Sequence, residues 1–265
     1  MIKCQICDYK KFSLKFHYNK KPHRETNFNI KKKNYERFYI ECKNCSHLYS
    51  LMSFNLDDLY NKNYSKFTYG KKIFSTFIKI KNLPKLKSDN YFRIKRFINF
   101  CDKNRLKNKK FLDIGSGTGI FPYELNKKNI DIRCIEKDLN FRKHLRENLS
   151  LKVIKDDYNN QKLKSKFNVI SINKVLEHIE KPNDFLQKIS NFLCKGGYIY
   201  FEVPDAELAS KKNKNREELF VEHIHGFSKK STKLLFKSNH FSIVIIKSII
   251  EPSGKYTIYG FAKKT

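Results

Sequence analysis

FLDIGSGTGI, residues 111–120, is the most informative stretch of the sequence, because a short apolar run leads directly into a turn that holds three glycines. Glycine adopts positive φ angles without strain and lets the backbone approach a ligand closely. A helix that begins near Phe121 would offer unpaired backbone N–H groups and the positive end of its dipole at the same place. The stretch therefore predicts a buried strand, a ligand-binding turn and a helix in succession.

Short apolar runs alternate with helical stretches in the chain that follows this turn. In order, these runs are DIRCI, LKVI, FNVISI, GYIYFEV, FSIVII and YTIYGF. Strands that alternate with helices predict βαβ units and a mostly parallel sheet covered on both faces. KSIIEPSGK, which separates the last two runs, is too short for a crossover helix, so these two strands should pair antiparallel. We therefore predict an α/β fold with a Rossmann-like sheet of seven strands that ends in an antiparallel hairpin.

The spacing of the glycines distinguishes two kinds of nucleotide-binding turn. A dinucleotide-binding turn reads G-x-G-x-x-G, whereas here the third glycine comes one residue early and Ile120 takes its place. Asp113 precedes the first glycine by two residues, which gives D-x-G-x-G-x-G. This pattern resembles motif I of the class I S-adenosylmethionine-dependent methyltransferases. The resemblance implies that Asp113 acts near the methionine part of the cofactor. The turn residues that would bring their backbone against the cofactor are Gly115, Ser116, Gly117 and Gly119.

Two acidic positions further along the chain extend the resemblance. Glu136 stands at the end of the second strand, where a carboxylate would hold the two hydroxyls of a ribose. VIKDDY, residues 153–158, ends the third strand with two carboxylates, where this family usually places an acid beside the adenine amino group. We favour Asp157 over Asp156 for that position. These positions imply S-adenosyl-L-methionine as the cofactor.

The fourth and fifth strands continue the resemblance, which spans about residues 110–262. FNVISINKVLEHIEKP, residues 167–182, resembles the fourth strand with its following loop and implies that Asn173 lies near the sulfonium. His178 in this loop has two interpretations, contact with the methyl-donor pocket or a side chain that fixes the loop. CKGGYIYFEVPD, residues 194–205, resembles the entry into the fifth strand. The order of the segments indicates a methyltransferase.

Four of the seven cysteines form two Cys-x-x-Cys pairs, Cys4 with Cys7 and Cys42 with Cys45. Two such pairs can close a tetrahedral Zn²⁺ site, because each pair can direct two thiolates at one ion. With all four positions taken by protein, the ion would be structural. Paired cysteines of this kind indicate metal binding in a reducing compartment rather than a disulfide framework. They therefore predict a cytoplasmic protein.

These features divide the sequence into three predicted regions. Residues 1–50 form a small zinc-binding module, and residues 106–265 form the methyltransferase domain. Residues 51–105 carry apolar residues at helical spacing and form a helical lid or linker, in which Tyr60 and Tyr64 could contribute to the pocket. No apolar stretch approaches the roughly 18 residues of a membrane span, so none is predicted.

FVEHIHGFS, residues 220–228, follows the fifth strand. In sugar methyltransferases that combine a cysteine zinc site with this core, notably nucleotide-keto-sugar C-methyltransferases, the corresponding segment carries a Glu-His pair followed by an aromatic residue and serine. Glu222 and His223 fall on that pattern, whereas Phe220 and Val221 stand where that family tends to have Tyr and His. The resemblance implies a sugar or surface-glycan precursor as the acceptor, methylated on oxygen or carbon.

The same resemblance implies roles for three residues of this segment. His223 would be the general base, because an imidazole near its ordinary pKa can take a proton from an alcohol or a carbon acid. Glu222 would orient the substrate or the imidazole, and His225 is the second candidate for the base. The alternative is that the segment only leads into the helix of FSKKSTKLLF, with Ser228 as its N-cap.

The net charge of +30 keeps a second function open. Lysine and arginine neutralise phosphates, so the zinc module and the charge could together bind RNA, which would make the enzyme an rRNA or tRNA methyltransferase. An AT-rich coding sequence would also enrich lysine, and the lysines are spread along the whole chain. The strand-four end reads NKVL and lacks the Asn/Asp-Pro-Pro-aromatic tetrad used to methylate base nitrogens. A third alternative is a non-catalytic methyltransferase-like binding module.

Overall fold

The structure, a computed structural model, describes residues 3–31, 34–54, 64–106, 109–154 and 166–265. This part of the chain contains eleven strands. They are β1 (Phe12–Tyr18), β2 (Arg37–Cys42), β3 (Leu48–Met52), β4 (Phe111–Ile114), β5 (Ile132–Ile135), β6 (Lys152–Val153), β7 (Phe167–Asn173), β8 (Leu193–Pro204), β9 (His225–Gly226), β10 (Phe241–Ile250) and β11 (Tyr256–Lys264).

Eight α-helices connect or cover these strands in the described residues. They are α1 (Tyr64–Thr68), α2 (Ile73–Lys81), α3 (Asp89–Lys103), α4 (Ile120–Asn126), α5 (Leu139–Glu147), α6 (Pro182–Ser190), α7 (Ala206–Lys212) and α8 (Lys229–Ser238). Short 3₁₀ turns occur at Lys85–Lys87, Leu176–His178 and Glu217–Leu219. None of the described helices is both long and apolar enough to cross a membrane.

The larger sheet has seven strands in the order β10-β11-β8-β7-β4-β5-β6. Strands β8, β7, β4, β5 and β6 are parallel to one another, whereas β11 pairs antiparallel with both β8 and β10. The predicted α/β fold with a terminal antiparallel hairpin is therefore confirmed. Each predicted run is a strand, although β6 has only two residues and β10 continues four residues beyond FSIVII to Ile250.

A smaller, four-stranded antiparallel sheet has the order β1-β2-β3-β9. Its first three strands come from residues 12–52, which contain the second pair of cysteines. The fourth strand, β9, comes from FVEHIHGFS and pairs with β3 through Leu48 with Gly226 and Tyr49 with His225. The N-terminal module and the segment after the fifth strand of the larger sheet are thus parts of one sheet.

Helix α3 packs on the larger sheet although its residues fall in the predicted lid or linker. Its apolar face, which includes Phe97 and Phe100, lies in one buried cluster with Phe111, Tyr200 and Phe261. The rings of Phe100 and Phe261 stack with centroids 3.6 Å apart. Helix α3 is therefore part of the core that supports β4, β8 and β11.

Buried ion pairs attach the same helix to β8. Arg93 and Arg96 donate to the two carboxylate oxygens of Glu202 at 2.8 and 2.9 Å, and Arg96 also donates to Glu251 at 2.9 Å. Burial alone would raise the pKa of Glu202, but the two guanidinium groups and Lys174 lower it to about 2. Glu202 is fully buried, so its charge depends on these partners.

Replacing this carboxylate should destabilise the fold strongly. Glu202→Gln removes the carboxylate that pairs with Arg93 and leaves Arg96 paired with Glu251 alone. The loss of one partner of a buried pair costs about 3–5 kcal/mol. Glu207→Gln, which removes an exposed ion pair with Lys211, should cost less than about 1 kcal/mol. Urea denaturation at neutral pH measures both free energies of unfolding, and equal losses would contradict the assignment.

Candidate active site

A cavity of about 1230 Å³ opens where β4, β5, β7 and β8 end at their carboxyl edges. Parallel α/β sheets bind ligands at this edge, outside the carboxyl ends of their strands. The segments that line the cavity include the glycine turn after β4, the end of β5, the loop after β7, and residues 217–224. The site therefore joins residues that are far apart in the sequence.

The glycine turn has the backbone conformation that its sequence predicts. Gly115 and Gly119 have φ angles of 73° and 74°, in the left-handed region that favours glycine. A Cβ atom at Gly119 would lie 2.4 Å from Leu145, whereas one at Gly117 would meet nothing within 4 Å. Gly117 therefore leaves open space at the cavity. Helix α4 begins at Ile120, next to the predicted position.

Two carboxylates flank the turn. Asp113 is buried, accepts a hydrogen bond of 2.5 Å from the Ser171 hydroxyl, and has a pKa raised by burial to about 6. Glu136 accepts hydrogen bonds from the backbone N–H groups of Gly117 (2.8 Å) and Asp138 (3.0 Å). Burial raises the pKa of Glu136 to about 7. Both carboxylates line the cavity and can accept hydrogen bonds from a bound ligand.

Asn173 ends β7 and lines the same cavity. Neither polar atom of its amide side chain has a hydrogen-bond partner among the described residues, and both atoms are buried. A buried polar atom without a partner is costly, so this amide can hold a ligand at little cost in lost contacts. The predicted adenine partner, Asp157, and its alternative Asp156 lie outside the described residues, as does Tyr60.

Two histidines from different segments lie close together at the cavity wall. His178 belongs to the 3₁₀ turn after β7 and His223 to the segment after β8, and their ring centroids are 5.0 Å apart. The Nδ1 of His178 donates to the Glu222 carbonyl at 2.8 Å, and the Nδ1 of His223 donates to the Glu218 carbonyl at 3.0 Å. Because a carbonyl oxygen only accepts, each neutral ring carries its lone pair on Nε2.

Burial keeps both imidazoles neutral. It lowers the pKa of His178 to about 4 and the pKa of His223 well below its ordinary value, so the expectation of a near-ordinary pKa for His223 is wrong. The carboxyl of Glu222 also lines the cavity, and burial raises its pKa to about 7. The Tyr64 ring lies 6.0 Å from the His178 ring. The predicted pair Glu222 and His223 is thus at the cavity.

Glu177 is a site residue that sequence reasoning missed. It is fully buried, and neither of its carboxylate oxygens accepts a hydrogen bond from another described residue. Burial raises its pKa to about 8, although Lys174 opposes the shift. The one sign of this residue in the sequence is the adjacent Glu-His of VLEHI. A role for Glu177 depends on which later segment packs against it, and a local sequence pattern does not contain that information.

His225 has a different environment from His223. Its Nε2 donates to the Glu180 carbonyl at 3.2 Å, and its Nδ1 lies 2.9 Å from the Nε2 of His47. His225 is buried and does not line the cavity. The neighbours of His225, His47 and Tyr49, lie in the N-terminal module. The contacts of His225 therefore join that module to the segment after β8.

The four cysteines of the N-terminal module form one cluster. Their sulfur atoms all lie within 4.8 Å of one another, and the pairs Cys4 with Cys45 and Cys7 with Cys42 are each 3.7 Å apart. Zinc–sulfur bonds of about 2.3 Å in a tetrahedron place the sulfurs roughly 3.8 Å apart. The donor set and its spacing therefore fit a Zn²⁺ ion. The Ser228 hydroxyl, N-cap of α8 as predicted, donates to the Cys45 carbonyl at 2.6 Å.

A family model described as "Methyltransferase domain" matches residues 87–245. No match was found among curated proteins. Among solved structures, the chain is similar to the 1,6-didemethyltoxoflavin-N1-methyltransferase of Burkholderia thailandensis, which was solved with 1,6-didemethyltoxoflavin and S-adenosylhomocysteine. The identity is 11%, the match covers 84% of this chain and 96% of that chain, and the TM-score is 0.57.

Two further solved structures share the fold. The magnesium protoporphyrin IX methyltransferase of Synechocystis PCC 6803, solved with bound SAH, is 12% identical over 79% of this chain and 98% of its own, with a TM-score of 0.57. A possible histamine N-methyltransferase of Thermotoga maritima is 22% identical over 73% and 99% of the two chains, with a TM-score of 0.51.

Proposed function

We propose an acceptor and residue roles for this chain, which belongs to the methyltransferase domain family and is an S-adenosyl-L-methionine-dependent methyltransferase. The acceptor is a small molecule of the sugar or surface-glycan-precursor type, methylated on oxygen or carbon. The observation that carries this proposal is that a neutral imidazole, His223, and the glycine turn line one cavity. The segment FVEHIHGFS supports the sugar class through its Glu-His pair.

The methyl donor is assigned to the glycine-turn side of the cavity. Asp113 acts near the methionine part, and Glu136 accepts hydrogen bonds from the ribose hydroxyls. Asn173, whose amide has no protein partner among the described residues, lies near the sulfonium. Gly117, with open space where a side chain would start, supports close backbone approach, together with Gly115, Ser116 and Gly119. Asp157 keeps its predicted role at the adenine.

The reaction needs alignment and one proton transfer. The acceptor atom attacks the methyl carbon in line with the carbon–sulfur bond, the bonding pair moves to sulfur, and S-adenosylhomocysteine leaves. The Nε2 of His223 takes the proton of the acceptor hydroxyl or acidic carbon. The Nδ1 bond to the Glu218 carbonyl holds the ring in the tautomer that can do so. Glu222 positions the acceptor, and its carbonyl holds His178.

His225 is assigned to packing rather than to catalysis, because it lies between His47 and Glu180 away from the cavity wall. A structural Zn²⁺ ion is assigned to Cys4, Cys7, Cys42 and Cys45, whose sulfur spacing supports it. Four protein ligands leave no open position on the ion. The expected cytoplasmic location rests on these same reduced cysteines.

Transfer of radiolabelled methyl groups tests the acceptor class. We expect label in one or more members of a panel of nucleotide sugars, and none in total RNA, because the cavity of about 1230 Å³ has room for a small molecule beside His223. Label in RNA, with binding that weakens steeply as salt increases, would establish the RNA alternative. Absence of label from every acceptor, with S-adenosylmethionine still bound, would favour the non-catalytic alternative.

Removing the proposed base should lower turnover and spare cofactor binding. His223→Gln should reduce kcat by about 10²–10⁴-fold, the usual contribution of general base catalysis, while calorimetry gives an unchanged Kd for S-adenosylmethionine. His17→Gln, which changes an exposed histidine on β1, is the matched control and should keep full turnover. Full turnover by His223→Gln on a methylated nucleotide sugar would refute the role.

Cofactor affinity should rise with pH through the titration of Glu136. Its pKa of about 7 lies above its ordinary value because of burial, and only the ionised form accepts hydrogen bonds from both ribose hydroxyls. Between pH 6 and pH 8, the Kd of S-adenosylmethionine should therefore fall about tenfold. In Glu136→Gln, the Kd of S-adenosylmethionine should vary with pH only through the smaller effect of Asp113. Glu147→Gln, an exposed change on α5, should show the wild-type pH dependence.

Loss of the structural zinc should affect the acceptor side of the cavity. Cys42→Ser should release one zinc per chain, measured by elemental analysis, and should lower kcat more than cofactor affinity, because β3 carries β9 and the segment before it. Cys194→Ser, a cysteine outside the cluster, is the control. Retention of one zinc by Cys42→Ser after treatment with a chelator too weak to strip four thiolates would contradict the site.

A further inference from the structure

We propose that Glu177, His178 and His223 form a second metal site, which binds one divalent transition-metal ion at the cavity wall. Each residue offers one ligand atom, and the three atoms all lie within 4.8 Å of one another. Ligand atoms around a bound Zn²⁺ lie roughly 3–4 Å apart, so small side-chain rotations close the site. The proposed methyl transfer does not require this ion, and the site is separate from the cysteine cluster.

The backbone around the two imidazoles supports metal binding. The Glu222 and Glu218 carbonyls each accept the Nδ1 hydrogen of one ring, which leaves Nε2 as the coordinating atom in both. Metal-bound histidines almost always donate their other ring hydrogen in this way, and the bond fixes the tautomer and the ring orientation. The two rings are therefore oriented before an ion arrives.

Glu177 supplies the negative charge of the site once an ion has displaced its proton. A buried carboxylate that accepts no hydrogen bond from another residue is unfavourable unless a cation compensates it. Lys174 lies near enough to attract Glu177, but its ammonium group donates to the Thr257 hydroxyl at 2.8 Å instead. A metal ion held by both histidines would balance the carboxylate directly.

The ligand set selects the class of ion. Two imidazole nitrogens and one carboxylate oxygen suit Zn²⁺, Fe²⁺, Co²⁺ or Ni²⁺, whereas Mg²⁺ and Ca²⁺ prefer oxygen ligands throughout. Three protein ligands leave at least one coordination position for water or a ligand from the cavity, unlike the closed set of four cysteines. The site is therefore an open one.

An ion in this site should inhibit methyl transfer, and this consequence, unlike the site itself, rests on the proposed function. The metal and the acceptor's proton compete for the same Nε2 lone pair of His223. An enzyme with bound metal cannot use that atom as a base. Micromolar Zn²⁺ should therefore lower kcat reversibly, and a chelator too weak to strip four thiolates should restore it.

Calorimetry with ZnCl₂ tests the site on full-length protein whose cysteine cluster already holds one zinc. We expect one further equivalent per chain, and none with MgCl₂. Glu177→Gln and His178→Gln should each weaken this second equivalent by at least about tenfold, and His17→Gln, which removes an exposed histidine beside Glu36, should retain it. Absence of a second equivalent of zinc, or its survival in both Glu177→Gln and His178→Gln, would overturn the proposal.

Two measurements separate this result from misfolding and from failure of the proposed function. Each variant must bind S-adenosylmethionine with wild-type Kd, which shows that the sheet and the glycine turn are intact. If the second zinc binds as expected but activates turnover, the metal site stands and the base role of His223 is wrong. If zinc does not bind while His223→Gln still abolishes turnover, the base role stands and the metal site is wrong.

Discussion

The pairing of β9 with β3 is the constraint on which the position of His223 at the cavity depends. His225 and Gly226 bond to the edge of a sheet whose other strands come from the first 52 residues. A Cβ at Gly226 would lie 2.8 Å from Ala206 and 2.9 Å from Leu48, so the close approach requires glycine. With this strand fixed, the chain just before it, including His223, is held at the cavity wall.

The two sides of the cavity are built by different means. The glycine turn is a local structure, since its positive φ angles, its strand and its helix follow within ten residues. The wall that carries the histidines brings together a 3₁₀ turn after β7 and a segment after β8, and the hydrogen bond from the His178 imidazole to the Glu222 carbonyl connects them. Substitutions in the N-terminal module should therefore alter the wall that carries His223, while the wall formed by the glycine turn stays unchanged.

Buried charge is concentrated around the same edge of the sheet. Glu202 is ionised because Arg93 and Arg96 hold it, and those pairs attach α3 to the sheet. Glu177, a few residues beyond β7, has no comparable partner among the described residues. Glu202 is therefore a structural carboxylate whose charge the two arginines compensate, whereas Glu177 is a carboxylate that can take part in binding.

The α/β sheet, the glycine turn, the terminal hairpin and the N-cap at Ser228 follow from the order of the residues, because each depends on periodicity or on backbone conformation within a few neighbouring residues. The four cysteines are likewise recognisable from their spacing. Which histidines meet depends on tertiary packing: His223 faces His178 and Glu177 at the cavity, while His225 turns to His47 in the N-terminal sheet. An extended segment would point residues 223 and 225 to the same side, but the chain turns before β9, where the His223 N–H donates to the Phe220 carbonyl. Packing between distant parts of the chain sets that turn and what each ring meets.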